Sequence, residues 1–168
     1  MAGEKMRNYE EVAQFTLEQQ DCEHLLTTQN ECTFIWRMRD GWPIGVIMSY
    51  IWRDGKVWMT ASSQRPRIAA VQRDDRVSVV VSSMGTQLSP RTVTIRGRCA
   101  IREDEETKRW FYPALAQALI PGDDRRQGRF VKMLDSPRRV VMCVSPEKFI
   151  TFSSEKMQKY WRGGGEPE

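Results

Sequence analysis

The chain has 168 residues, of which 40% are hydrophobic and 29% charged, and its formal net charge is +4. This length suits one domain with its own core, and the composition excludes a disordered chain. No apolar run reaches the roughly 20 residues that span a bilayer, and the opening MAGEKMRNYEEV lacks the apolar core of a secretion signal. We therefore expect a cytoplasmic protein with no membrane partner.

The distribution of basic residues, cysteine and histidine argues against several classes of site. Lysine and arginine form no basic block, so we expect no nucleic-acid partner. The four cysteines are scattered without a C-x-x-C pair, so we expect no metal site and reduced, buried thiols. His24 is the only histidine, and no nucleophile and acid pair with it in a recognisable triad. No catalytic residue is assigned from the sequence.

Short helices are predicted before the first strand. Asn8 and Glu11 resemble a capping box in front of an apolar stripe over residues 12–17. Asp21 is the expected N-cap of a second short helix, DCEHLLTT.

Strands are predicted next, near 32–38, 44–52 and 56–61, because these stretches are rich in aromatic and β-branched residues. Asp-Gly pairs at 40–41 and 54–55 are strong signals for hairpin turns. The pattern predicts an antiparallel meander.

The second half of the chain mixes helices and strands. A helix over 67–73, a strand over 76–82 and the strand RTVTIRGRCAIR are predicted, with Gly97 marking a bulge or a close backbone approach. EDEETKRWFYPALAQAL predicts a helix that Pro113 kinks or divides, and a short helix ends before Ser136. RRVVMCVSP and EKFITFS predict the last strands. Together these elements predict one α+β domain over 1–162, built on an antiparallel barrel, with a flexible tail over 163–168.

A group of hydroxyl and guanidinium side chains lies where a predicted strand meets a predicted helix. We call residues 60–67 the arginine turn; its polar residues are Thr60, Ser62, Ser63, Arg65 and Arg67. Phosphate needs such donors, and the start of a helix adds free N–H groups and a positive dipole end. The alternative is a solvated turn whose arginines pair with Asp74 or Asp75.

The order of these features resembles the pyridoxamine 5′-phosphate oxidase-like, FMN-binding split-barrel family. The resemblance rests on RDGWPIGVIMSYIWRDGKVWMTASSQRPRIAAVQRDDRVSVVV, followed by VTIRGRCAI. It implies a six- to seven-stranded antiparallel split β-barrel with peripheral helices, and a homodimer with cofactor sites at the subunit interface. The chain departs from the family at Arg67, often lysine, and at Asp75, often proline. It also lacks the Arg-Leu-x-Pro ending of true pyridoxamine-phosphate oxidases, so we do not expect oxidation of vitamin B6 phosphates.

By position, the resemblance implies that Thr60, Ser62 and Ser63 line the ribityl-phosphate side of FMN, and that Arg65 and Arg67 clamp the phosphate.

On the neighbouring strand, the resemblance implies that Met48, Ser49 and Tyr50 run along the isoalloxazine ring. Trp161 and Arg162 of the partner subunit would close over that ring. Tyr50 is also a candidate proton donor, with packing inside the barrel as the alternative.

These implications leave three hypotheses for the function. The first is an FMN-dependent oxidoreductase that transfers a hydride to or from a small organic substrate. The second is a reductase that uses the deazaflavin coenzyme F-420, whose longer anionic tail would need further basic residues such as Arg53, Lys56 and Arg73. The third is a flavin-binding module without enzymatic activity.

Overall fold

A single curled sheet of seven antiparallel strands organises the computed structural model, which describes residues 12–85 and 90–162. Along the sheet the order is β2-β1-β5-β6-β7-β4-β3. The strands are β1 (Glu31–Arg37), β2 (Pro43–Ser49), β3 (Ile51–Arg53), β4 (Lys56–Ser62), β5 (Arg76–Ser82), β6 (Arg91–Arg102) and β7 (Arg139–Ser153). The prediction of an α+β split barrel is confirmed.

Five α-helices surround the sheet in the described part of the chain. They are α1 (Gln19–Thr28), α2 (Pro66–Arg73), α3 (Glu105–Leu119), α4 (Asp124–Leu134) and α5 (Ser154–Arg162), and a 3-10 turn over Val12–Phe15 precedes them. No helix among the residues described is long and apolar enough to cross a membrane.

One local prediction about the helices is wrong, and two others lie outside the described residues. Glu18, not Asp21, occupies the N-cap of α1. Asp21 lies in the first turn, where its carboxylate pairs with Arg91 at 3.1 Å. Pro113 does not divide α3, which continues through it. The capping box at residues 8–11 and the tail at 163–168 are not described.

Both Asp-Gly pairs form hairpin turns, but the predicted meander is wrong. The pairs connect β1 to β2 and β3 to β4, and Asp54 and Gly55 have positive φ angles of 53° and 68°. The predicted strand over 44–52 is interrupted at Tyr50, whose N–H donates to the Asn30 carbonyl at 2.9 Å. Because Tyr50 bonds to the α1–β1 connection, β2 and β3 separate and become opposite edges of the sheet.

The last two predicted strands, RRVVMCVSP and EKFITFS, form the single strand β7, which contains a bulge. The register between β6 and β7 shifts at Gly97, which pairs with Pro146 while Arg96 pairs with Lys148, so Glu147 is the extra residue. A Cβ at Gly97 would overlap the Ser145 carbonyl oxygen. The predicted close backbone approach is confirmed, and β7 continues through Pro146 because a bulge tolerates proline.

The sheet separates two apolar clusters. The main core fills the barrel between the sheet, α1 and α2, and the second core lies under α3 and α4. The second core contains Phe111, Tyr112, Leu115, Leu134 and Val141. Along β4, Val57, Met59 and Ala61 belong to the main core, whereas Trp58 packs against the second core. Since side chains alternate along a strand, Thr60 and Ser62 lie on the α3 side.

Candidate functional site

Backbone hydrogen bonds fix the arginine turn where β4 meets α2. The Arg65 N–H donates to the Ser62 carbonyl at 3.0 Å, and the Ser63 N–H donates to the Arg138 carbonyl at 2.7 Å. Arg65 is the N-cap of α2 and Pro66 opens the helix, which suits the fixed φ of proline. No side chain caps this helix start. Its positive dipole end is therefore open to an anion.

The acidic residues that could have neutralised the arginine turn are paired elsewhere. Asp74 lies 2.8 Å from Arg76, and Asp75 lies 2.8 Å from Arg98. The hydrogen bond from Arg76 is the main reason that the pKa of Asp74 is held well below its usual range. The alternative in which the arginines of the turn pair with these carboxylates is therefore wrong.

Arg67 is the most constrained cation of the turn. Its Nε atom is buried and has no hydrogen-bond partner. Burial, followed by the positive charge of Arg65, lowers the pKa of Arg67. Neither arginine forms a salt bridge within residues 12–85 and 90–162. A bound oxyanion would supply the missing acceptor and the missing counter-charge.

The hydroxyl residues of the turn differ in their hydrogen bonding and in their exposure. The Thr60 hydroxyl donates to the Val140 carbonyl at 2.8 Å and so links β4 to β7. Ser62 is half-buried at the end of β4, and Ser63 is exposed. The structure thus gathers Ser62 and Ser63 with the two arginines, while Thr60 lies farther back on the same face of β4.

Met48 and Tyr50 are not gathered at the arginine turn, because both side chains belong to the main core. The Cys32 thiol, on the residue paired with Met48, lies 3.7 Å from the Met59 sulfur, inside the barrel. Tyr50 is fully buried and its hydroxyl donates to the Leu26 carbonyl at 2.8 Å. Burial raises the pKa of Tyr50, so the packing alternative holds and its phenol is not placed to donate a proton. Ser49 is half-buried at the end of β2.

Trp161 and Arg162 lie at the exposed end of α5. This helix is held against the 3-10 turn by an edge-to-face contact between Tyr160 and Phe15, with ring centroids 5.4 Å apart. Closure of these two residues over a partner's cofactor stays a prediction.

Sequence reasoning missed Arg139. It is the register partner of Ser62, and its Nε atom is buried without a hydrogen-bond partner. The only signal was an Arg-Arg pair at the start of a valine-rich strand. Nothing in a single sequence shows that this strand lies beside β4.

A comparison with family models places the chain. The model described as pyridoxamine 5′-phosphate oxidase matches residues 20–153. The chain belongs to this family. The match includes the whole arginine turn and all seven strands from end to end. No curated protein sequence matches the chain significantly.

Several solved structures share the fold at low sequence identity. A conserved hypothetical protein from Mycobacterium tuberculosis is 19% identical, with a TM-score of 0.75 over 87% of this chain and 91% of that one. A FAD-binding protein from Mesorhizobium loti is 17% identical, with a TM-score of 0.63 over 81% of this chain and 94% of that one. An F420 reductase is 20% identical, with a TM-score of 0.59 over 76% of this chain and 94% of that one.

Proposed function

We propose that this protein is a flavin-dependent oxidoreductase that holds the phosphate of FMN at the arginine turn. The observation that carries the proposal is the buried, partnerless Nε of Arg67, next to Arg65 at an uncapped helix start. Three kinds of donor converge there: guanidinium groups, serine hydroxyls and the first turn of α2. This set matches a phosphate monoester.

These residues suggest separate roles for the protein and the cofactor. Arg65 and Arg67 bind the phosphate, and Ser62 and Ser63 supply further hydrogen bonds. A bound flavin supplies the hydride chemistry, with a small organic molecule as donor or acceptor. The protein's own contribution is to bind and orient the cofactor, since the phenol of Tyr50 is enclosed in the main core.

The deazaflavin coenzyme F-420 is the second candidate. Its support is the F420 reductase that shares the fold over 76% of this chain, together with Arg139, a further guanidinium beside Ser62. Arg53 and Arg73, expected from the sequence to serve a longer tail, bind other groups. Arg53 lies 4.4 Å from the Trp110 ring centroid, and Arg73 donates to the Arg37 carbonyl at 2.9 Å.

A homodimer with the cofactor between subunits is part of the proposal. Large apolar side chains are exposed on the β1–β2 hairpin, where Trp42 is 70% and Ile47 is 63% exposed. Phe149 and Ile150 are exposed on β7. Exposed apolar groups on this hairpin and on β7 support burial against a second copy.

Titration of the purified protein with FMN and, separately, with coenzyme F-420 tests the proposal, with binding followed by fluorescence quenching. We expect tight FMN binding and a loss of roughly 10- to 100-fold in affinity for each of Arg65→Ala and Arg67→Ala, since a hydrogen bond to a charged group contributes about 1.5–3 kcal/mol. The matched control is the double variant Arg125→Ala/Arg129→Ala, which removes two exposed cations from α4.

Each outcome of the titration has a defined meaning. Preference for F-420 moves the protein to the second candidate. Binding without turnover in a substrate screen supports a flavin-binding module. Undiminished affinity in Arg65→Ala/Arg67→Ala, or an equal loss in the α4 control, contradicts the phosphate site.

A further inference from the structure

Tyr112 presents an unexplained polar group inside the second core. The residue is only 3% exposed, and its hydroxyl oxygen is buried without a hydrogen-bond partner. Buried hydroxyls are nearly always paired, and that of Tyr50, which is also enclosed, follows that rule. No described residue accepts a hydrogen bond from the Tyr112 hydroxyl, which leaves this donor available to a bound acceptor.

Arg139 has the same deficiency on the same side of the sheet. Its Nε is buried without a partner. Val141, two residues further along β7, packs with Tyr112 in the second core. Alternate residues of a strand share a face, so Arg139 borders the cluster that contains Tyr112. Burial raises the pKa of Tyr112, and the positive charges of Lys108 and Arg139 oppose that rise, so both cations act on this phenol.

A cavity of about 290 Å³ adjoins Tyr112 between α3 and the end of α4. Lys108, Pro113 and Asp135 are among its lining residues. This volume is ample for a small anion and larger than one water molecule needs.

The charges around the cavity favour an anion. Lys108 and Arg109 line it together with Glu105 and Asp135. Arg139 is not a lining residue, but its positive charge also acts on the Tyr112 phenol. The Lys108 ammonium lies 2.8 Å from the Glu105 carboxylate, so these two charges balance each other. Among the remaining charges, the guanidinium groups of Arg109 and Arg139 outnumber the one carboxylate, that of Asp135. The two unsatisfied groups are both N–H or O–H donors, and an oxyanion offers an acceptor to each of them.

We propose that Tyr112 and Arg139 form a binding site for a small oxyanion group, a phosphate or a carboxylate, beneath α3. This site is distinct from the arginine turn, although Ser62 connects the two as the register partner of Arg139. It uses no residue of the arginine turn, so it does not depend on FMN binding there, but it shares Arg139 with the second candidate, coenzyme F-420.

The test uses thermal unfolding of the full chain carrying Arg65→Ala/Arg67→Ala, so that the arginine turn does not contribute. The probes are inorganic phosphate and propionate, each compared with chloride at equal ionic strength. We expect one of them to raise Tm in a saturable way by a few degrees. Phosphate alone indicates a phosphate site, and propionate indicates a carboxylate site.

Two variants and one control decide whether the effect comes from this cavity. Tyr112→Phe removes only a partnerless hydroxyl, so it keeps the fold, and we expect it to abolish the Tm rise. Arg139→Gln should do the same. The control Tyr50→Phe removes a satisfied hydroxyl, so it should lower Tm in every buffer but preserve the rise with the anion. A rise that persists in both Tyr112→Phe and Arg139→Gln, or no rise beyond chloride with either probe, overturns the proposal.

Discussion

The hydroxyl of Tyr50 donates a 2.8 Å hydrogen bond to the backbone carbonyl of Leu26, and this bond joins the β2–β3 break to α1. Both residues are enclosed, with Tyr50 fully buried and Leu26 1% exposed. A phenol buried at this depth is tolerated because its donor has an acceptor.

Tyr50→Phe should therefore lower the free energy of unfolding by about 1–3 kcal/mol, because it leaves a buried carbonyl without its donor. Equilibrium denaturation in urea measures this. Tyr112→Phe is the matched variant, and in chloride buffer it should be neutral or slightly stabilising, since its hydroxyl has no partner to lose. Equal losses in the two variants would show that the Tyr50 bond contributes no net stability.

A second prediction concerns the bulge between β6 and β7. Gly97→Ala should destabilise the protein by about 1–3 kcal/mol or more, because the new methyl group overlaps the Ser145 carbonyl and two paired strands must move apart. The control is Gly128→Ala on α4, where a Cβ meets no atom within 4 Å. Alanine there should raise stability by up to about 1 kcal/mol through helix propensity. A Gly97→Ala protein as stable as wild type would contradict the close approach.

Local sequence signals predicted the elements whose bonds are local. The strand over residues 76–82 and the hairpin turns at 40–41 and 54–55 were correctly placed, because alternation and turn residues determine them. The break at Tyr50 was missed, since it depends on a bond to Asn30 across the start of the sheet. The continuity of β7 was missed because Pro146 reads as a strand end unless the bulge opposite Gly97 is known.

In the candidate site, too, the sequence predicted residues that are close along the chain and missed those that strand pairing brings together. Ser62, Ser63, Arg65 and Arg67 are close in sequence, so one stretch was enough to predict their grouping. Arg139 comes to them only through the pairing of β4 with β7, a contact between distant parts of the chain. The direction of the Met48 and Tyr50 side chains depends on how the sheet curls, which a single sequence does not give.

A third prediction follows from the depressed pKa of Asp74. Because the hydrogen bond from Arg76 favours the ionised form in the folded state, this carboxylate stabilises the protein above its unfolded pKa of about 3.9 and loses that effect as the pH falls towards its folded pKa. Asp74→Asn should have a lower Tm than wild type at neutral pH, and the gap should narrow steadily from about pH 5 to about pH 3.

The control for Asp74 is Glu103→Gln, which removes an exposed carboxylate outside the helices and strands. Its Tm should follow that of wild type across the same pH range. A Tm gap for Asp74→Asn that stays constant down to pH 3 would mean that the ion pair of Asp74 with Arg76 does not cause the loss of stability in acid.

The last prediction tests the proposed homodimer through Ile47. This side chain is 63% exposed on the edge strand β2, on the same hairpin as the exposed Trp42. A glutamate at an apolar interface must be desolvated without a partner, which costs several kcal/mol, so Ile47→Glu should weaken dimerisation by on the order of 100-fold or more. Sedimentation equilibrium of the wild type and the variant measures the change.

Met133→Glu, at a side chain 56% exposed on α4, is the control and should leave the mass unchanged. A monomeric wild type would contradict the proposed homodimer. An Ile47→Glu protein that still dimerises would show that β2 is not part of the interface. Retained FMN affinity in a monomeric Ile47→Glu protein would show in addition that the cofactor binds within one subunit.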